Sequence, residues 1–266
     1  MNLLTFGIDF LNTMSYSRKF QVILVTLMLP ILYASWVIYQ DETAQIAVLN
    51  KELAGTQTIS ELHPLRILAA KHRGASAQWF AGNKGKGSAI NQIEQQVAGQ
   101  FDLAQQEMKN PTYNDEARNT LQSLKKEWED SKFSNYTSIS AVTSFDRHTN
   151  WIKGIGYLID SVASQSDLAL DASMDTFTMM QLETNRIPAV QELVGQLRGL
   201  GAGVATSGSF NADSYIRVNS VIASLKDAAS QVEHKFSILR QFYPEHIALL
   251  KPALADYTTT LHAFQD

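Results

Sequence analysis

The sequence predicts an all-α protein with one N-terminal transmembrane helix, followed by an elongated antiparallel helical bundle that we expect to form two stacked four-helix-bundle modules. Three observations predict this class. Residues 20–39 are an uncharged apolar run. Beyond them, apolar side chains recur at spacings of three and four, and no alternating pattern indicates a strand. A proline followed by Arg-Gly occurs twice, about 125 residues apart, as expected for two similar modules.

The apolar run from Phe20 to Tyr39 is long enough to cross a membrane, because twenty helical residues rise about 30 Å. An Arg-Lys pair precedes it, and basic residues on that flank predict a cytoplasmic N-terminus. We therefore expect residues 1–19 in the cytoplasm, residues 20–40 in the inner membrane and residues 41–266 in the periplasm.

A cleaved signal peptide is the alternative explanation of this segment. The apolar part of such a peptide is about 7–15 residues long, which is shorter than the run found here, and a cleavage site with small residues follows it. No such site precedes Asp41 and Glu42. We therefore favour an uncleaved anchor.

Apolar periodicity predicts six helices in the exported part. The first continues from the membrane towards Phe80 and ends at the glycine-rich loop 82–87. The others are expected from Ser88 to Asn110-Pro111, from Asn114 through Trp128, around Trp151–Val162 after a Ser/Thr-rich connection at 133–144, from Asp175 to about Thr206, and from Val218 to Tyr243. In the last of these, apolar residues alternate at spacings of four and three, which predicts a coiled-coil-like seam.

The composition excludes several classes of function. The formal net charge is −4 and no basic stripe is present, so we expect no binding to nucleic acid. The chain has no cysteine, and its six histidines lack the spacing of metal ligands. Gly82–Ser88 lacks the lysine of a phosphate-binding loop, because Gly87 stands in its place. We therefore expect no enzyme activity, no metal and no cofactor.

Two clusters of basic residues are the candidate ligand-binding groups. The members are Arg66, Lys71, His72 and Arg73 on the first exported helix, and Arg186 and Arg198 on the fifth, beside a glycine-rich stretch. The planar guanidinium donates two parallel hydrogen bonds, which suits nitrate, carboxylate or phosphate. The alternative is that these arginines pair with acids on the bundle and that the glycines only allow close helix packing.

Two segments carry a family resemblance. The residues are Asp171, Asp175, Thr176, Phe177, Met180, Ile187-Pro188 and Arg198-Gly199-Leu200-Gly201 in one segment, and Lys71-His72-Arg73-Gly74-Ala75-Ser76 in the other. They resemble motifs in the periplasmic sensory regions of bacterial methyl-accepting chemotaxis proteins, and of some histidine kinases and diguanylate cyclases. Within that group the chain is similar to the large helical sensors of the nitrate/nitrite-sensing or bimodular carboxylate-sensing type.

The resemblance implies a ligand-sensing periplasmic domain of an inner-membrane chemoreceptor. It implies a homodimer that binds a small anion, nitrate or nitrite or a small carboxylate, and signals by helix displacement. One alternative is the sensor region of a histidine kinase or diguanylate cyclase. Another is a membrane-anchored helical scaffold without a ligand, in which the seam is an intermolecular coiled coil. The output domain is expected outside this chain, because no second membrane helix or output motif precedes Asp266.

Overall fold

The computed structural model describes residues 12–131, 139–170 and 173–250, with a few isolated positions outside these ranges. It confirms the all-α class, and no strand occurs in these ranges. The α-helices are α1 (Tyr16–Phe80), α2 (Gly87–Glu107), α3 (Asp115–Ser131), α4 (Ala141–Gln165), α5 (Met174–Gln181), α6 (Ile187–Ser207), α7 (Ala212–Phe242) and α8 (Pro244–Leu249). The chain divides into two compact units, Met1–Asn50 and Lys51–Asp266.

Helix α1 is 65 residues long and continues through Pro64. Its N-terminal part is apolar and long enough to cross a membrane, with a mean hydropathy of 2.1 over its most apolar window and no residue of that window buried. Buried side chains begin at Ala54. The predicted anchor is thus a candidate membrane span by length and composition.

The first core lies among α1, α2, α3 and α4, a four-helix bundle. Its buried side chains include Ile59, Leu62, Leu65 and Ala69 of α1, Val97, Phe101 and Ala104 of α2, Ala117, Leu121 and Trp128 of α3, and Trp151, Ile155, Leu158 and Val162 of α4. The indole of Trp151 donates to the carbonyl of Leu124 at 2.9 Å, so its polar edge is satisfied inside the core. Asn114 and Ser140 cap α3 and α4 by accepting from backbone amides.

The second core lies among α6, α7 and their short neighbours. Its buried side chains are Leu182, Val190, Leu197, Leu225, Ala229, Val232, Leu239 and Ile247, with Val218, Ile222, Phe236 and Tyr243 packed against them. The seam predicted on the last helix is therefore buried within the chain, against α6, rather than free for a partner. Pro244 ends α7 and begins α8, because its fixed φ suits the first turn of a helix.

The predicted fifth helix is divided into α5 and α6 by a π-helical turn, Leu182–Arg186. Pro188, at the start of α6, has no amide hydrogen to donate to the preceding turn. A wider turn accommodates this loss, and the hydroxyl of Thr184 donates to the carbonyl of Met180 at 2.9 Å. The sequence predicted one continuous helix because periodicity does not reveal a single inserted residue.

Candidate functional site

The two Arg-Gly pairs that are far apart in sequence face each other between α1 and α6. A Cβ atom added to Gly74 would lie 3.9 Å from Nη2 of Arg198, and one added to Gly195 would lie 3.1 Å from Nη2 of Arg73. Arg66 donates to the carbonyl of Pro188 at 3.4 Å. Arg66 lies seven residues before Arg73 on α1, and Pro188 lies seven residues before Gly195 on α6. Contacts therefore advance in the same order along both helices, so α1 and α6 run parallel here.

A cavity of about 270 Å³ lies between these helices. Its polar lining consists of Arg66, Lys71, Gln191, Glu192 and Arg198, and its apolar lining includes Ala70, Ile152 and Val194. Three of the polar groups are cationic and one is anionic. We call this cavity the cationic groove.

Arg73, next to the cationic groove, is held in a buried ion pair. Its two terminal nitrogens donate to Glu192 Oε1 at 2.5 Å and Oε2 at 3.1 Å, and Nη1 also donates to Thr149 Oγ1 at 2.9 Å. The Arg73 side chain is fully buried, and that of Glu192 is 12% exposed. The ring centroid of Phe145 lies 5.0 Å from the guanidinium carbon, within cation–π range. The carboxylate of Glu192 therefore already accepts the two parallel hydrogen bonds that the Arg73 guanidinium could donate to a ligand.

Arg198 and Lys71 are the available cations of the groove. Both residues are exposed, and neither has a hydrogen bond or ion pair within the described ranges. Arg66 is half-buried, and burial lowers its pKa, while Glu192 and Asp160 oppose that shift. Because Glu192 is bonded to Arg73 and also accepts from Gln196 at 2.8 Å, it does not neutralise these groups by direct contact.

His72 and Arg186 do not line the cationic groove. His72 is buried in the first core, where its Nδ1 lies 2.6 Å from His148 Nε2 and its Nε2 lies 3.3 Å from Glu94 Oε1. His148 Nδ1 donates to the carbonyl of Ser144 at 2.6 Å, and burial lowers the pKa of His148 well below its ordinary value. Arg186 donates to Gln231 of α7. Within the described ranges, no group of three or more acidic and histidine side chains could hold a metal ion.

The glycines of α6 do different things. Gly199 packs against the ring of Phe145, since an added Cβ would lie 3.1 Å from it, whereas Gly201 and Gly203 have no atom within 4 Å of an added Cβ.

Of the two aspartates in the motif that carries the family resemblance, Asp171 lies outside the described residues. Asp175 accepts from Ser173 and Tyr243, and these hydrogen bonds lower its pKa to about 2. The bond from Tyr243 joins α5 to the end of α7.

Glu192 is the residue that sequence reasoning missed. It is the one acidic residue of α6, in a helix whose other residues are apolar, small, uncharged polar or basic. A lone acid in such a helix is a signal for a buried basic partner. The partner itself, Arg73, is 119 residues away in sequence, and only the packing of α1 on α6 identifies it.

A family model described as nitrate and nitrite sensing matches residues 68–261. The chain belongs to the nitrate and nitrite sensing family. This membership confirms the predicted resemblance to a helical sensory region. The nitrate and nitrite sensing match begins beyond the candidate membrane span and includes Lys71, Arg73, Glu192 and Arg198. No curated protein and no solved structure matches the chain.

Proposed function

We propose that this chain is the periplasmic ligand-sensing domain of a bacterial inner-membrane chemoreceptor, and that it binds a small anion in the cationic groove. The observation that carries the proposal is the pair Lys71 and Arg198, two cations that line one cavity and have no carboxylate partner among the residues that the structure describes. The chain's family is described by the sensing of nitrate and nitrite, both small planar anions. A small carboxylate has the same charge and a similar pair of acceptor oxygens.

In this proposal Arg198 and Lys71 contact the anion directly, and Arg66 contributes a third positive charge. The guanidinium of Arg198 donates two parallel hydrogen bonds to two oxygens of the anion. Arg73 acts as a positioning residue, because its fork holds Glu192 away from the other cations. His72 and Arg186 support the surrounding helices through His148 and Gln231.

Binding in the groove provides a route to signalling. An anion between α1 and α6 adds attraction between the two helices and competes electrostatically with Glu192. Helix shifts of about 1–2 Å are a known switching mode at such interfaces. Because α1 also contains the candidate membrane span, a shift of α1 along its axis is the movement that we propose is transmitted.

We also propose that the receptor is a homodimer. Ile46 and Leu49 of α1 are exposed apolar residues one helical turn apart, and such residues are suited to pairing with a second copy. A sensor region of a histidine kinase or a diguanylate cyclase would use the same groove and differ in its output domain. The scaffold alternative loses its support, since the seam of α7 packs inside the chain.

The direct test is a ligand screen by thermal unfolding of the chain Met1–Asp266 purified in detergent. Sodium nitrate, nitrite, acetate and chloride are compared at equal ionic strength. A ligand that binds only the folded state raises its melting temperature, so we expect nitrate or acetate to raise it more than chloride does. Equal melting temperatures in all four salts up to millimolar concentrations would contradict the proposal.

A further inference from the structure

We propose that the natural ligand is a carboxylate with a hydrocarbon tail, whose carboxylate lies in the cationic groove and whose tail fills a second, apolar cavity beside it. This inference rests on the proposed anion site and specifies the chemical class of its ligand.

The second cavity has a volume of about 680 Å³ and lies among α1, α6, α7, α8 and the end of α5. Its walls are chiefly apolar side chains, among them Met179, Leu182, Phe236, Leu239 and Ile247. Packed protein interiors contain few voids larger than a water molecule, whereas ligand pockets range from about 300 to 1,000 Å³. Its size and lining are therefore those of a ligand pocket.

The two cavities share part of their walls. Ile67, Pro188 and Gln191 line both of them. The two cavities therefore adjoin at these residues, and the Ile67 side chain is half-exposed. Lys71 of the groove lies one helical turn, about 6 Å, beyond Ile67 on α1, so a ligand whose charged end contacts Lys71 has the apolar cavity within reach of a few methylene groups.

Charge is distributed unevenly between the cationic groove and the apolar cavity. The cationic side chains Arg66, Lys71 and Arg198 all line the groove. At the apolar cavity, burial lowers the pKa of His63 to about 4, so that its ring is neutral at pH 7. Glu183 and His246 are exposed residues in the lining. A positive end and an apolar end complement an amphiphilic carboxylate, and nitrate alone would leave the larger cavity unfilled.

The test is isothermal calorimetry on the chain Met1–Asp266 in detergent, with acetate, butanoate, hexanoate, nitrate and hexan-1-ol as probes. Each buried methylene group strengthens binding about fourfold. Hexanoate should therefore bind of the order of 100-fold more tightly than acetate, and hexan-1-ol, which lacks the charge, should bind far more weakly than hexanoate. If nitrate and acetate bind but hexanoate binds no better than acetate, the tail site is wrong and the anion site stands. If no anion binds, both proposals are wrong.

A substitution that fills the apolar cavity distinguishes binding of the tail in that cavity from general hydrophobic binding. Met179 lines only the apolar cavity and is 41% exposed, so Met179→Trp adds bulk there without replacing a core side chain. We expect this variant to reduce the ratio of hexanoate to acetate affinity from the order of 100 to below about 10. The matched control is Leu103→Trp, at a half-exposed position on α2 outside both cavities, which should keep the ratio. An unchanged ratio in Met179→Trp would overturn the proposal.

Discussion

The buried ion pair between Arg73 and Glu192 predicts that Arg73→Ala destabilises the fold, in addition to any effect on ligand binding. The substitution removes both hydrogen bonds to the carboxylate of Glu192, which is 12% exposed, and the bond to Thr149. Glu192 would keep only the hydrogen bond from Gln196. A carboxylate left in such a place has lost its counter-ion but not its desolvation cost.

The expected loss is about 3–5 kcal/mol in the free energy of unfolding, the range for breaking a buried pair from one side. Replacing both partners with apolar residues of similar volume, in Arg73→Met with Glu192→Leu, should recover most of that loss, because no buried charge remains. The control is Arg147→Ala, at an exposed arginine of α4 without an ion pair in the described ranges, which should change stability by less than about 0.5 kcal/mol.

The assay is urea unfolding of the chain Met1–Asp266 in mild detergent, followed by the helical circular dichroism signal. A fall in the midpoint with an unchanged slope reports a change in stability. A loss below about 1 kcal/mol in Arg73→Ala would refute the reasoning, and so would a double variant as unstable as the single one. A small loss would mean that Arg73 is solvated enough to be released by Glu192, as a direct ligand contact requires. A loss that the double variant does not recover would mean that the unpaired carboxylate of Glu192 is not its cause.

Three further predictions concern packing, pH and topology. Gly55→Ala should cost about 1–3 kcal/mol in urea unfolding, because its Cβ would lie 2.1 Å from the hydroxyl of Ser166, whereas Gly203→Ala, with no atom within 4 Å, should be neutral or slightly stabilising. Burial lowers the pKa of His63 from 6.5 to about 4, so between these pH values the unfolded chain binds a proton that the folded chain does not. The free energy of unfolding should therefore fall as pH drops from about 6.5 to about 4. In His63→Gln the urea midpoint should depend less on pH over that window. A reporter enzyme fused at Gly85 should be active only in the periplasm, and cytoplasmic activity there would contradict the proposed membrane orientation.

Much of the fold was predictable because helical periodicity is a local property. The alternation of apolar residues from Val218 to Tyr243 predicted α7, and Asn114, the predicted start of the third helix, caps α3 by accepting from the amide of Ala117. The π-helical turn before Pro188 was not predictable, since it depends on how the backbone relaxes around one missing amide hydrogen. The partner of the α7 seam was also open, because an apolar stripe does not show whether it packs within its own chain.

The candidate site, like the fold, could be predicted from the sequence only in part. The sequence identified two clusters of basic residues on two helices, and the packing brings Arg66, Lys71 and Arg198 to one groove. It did not show that Arg73 is already paired, because Glu192 lies on another helix 119 residues away. Nor did it place His72 against His148, since two histidines 76 residues apart give no spacing signal. Which cations lack partners is a tertiary property, and the proposed binding mode depends on it.

The most direct test of the account is the affinity of the chain Met1–Asp266 for nitrate and acetate when Arg198 is replaced. Charge-assisted hydrogen bonds contribute about 1.5–3 kcal/mol, so calorimetry should show Arg198→Ala binding the preferred anion roughly tenfold to a hundredfold more weakly. Arg198→Lys should recover only part of this loss, because the charge returns without the planar fork. Arg147→Ala should bind as the unsubstituted chain does. Unchanged affinity in Arg198→Ala, with the anion still bound, would show that the cationic groove between α1 and α6 is not the site.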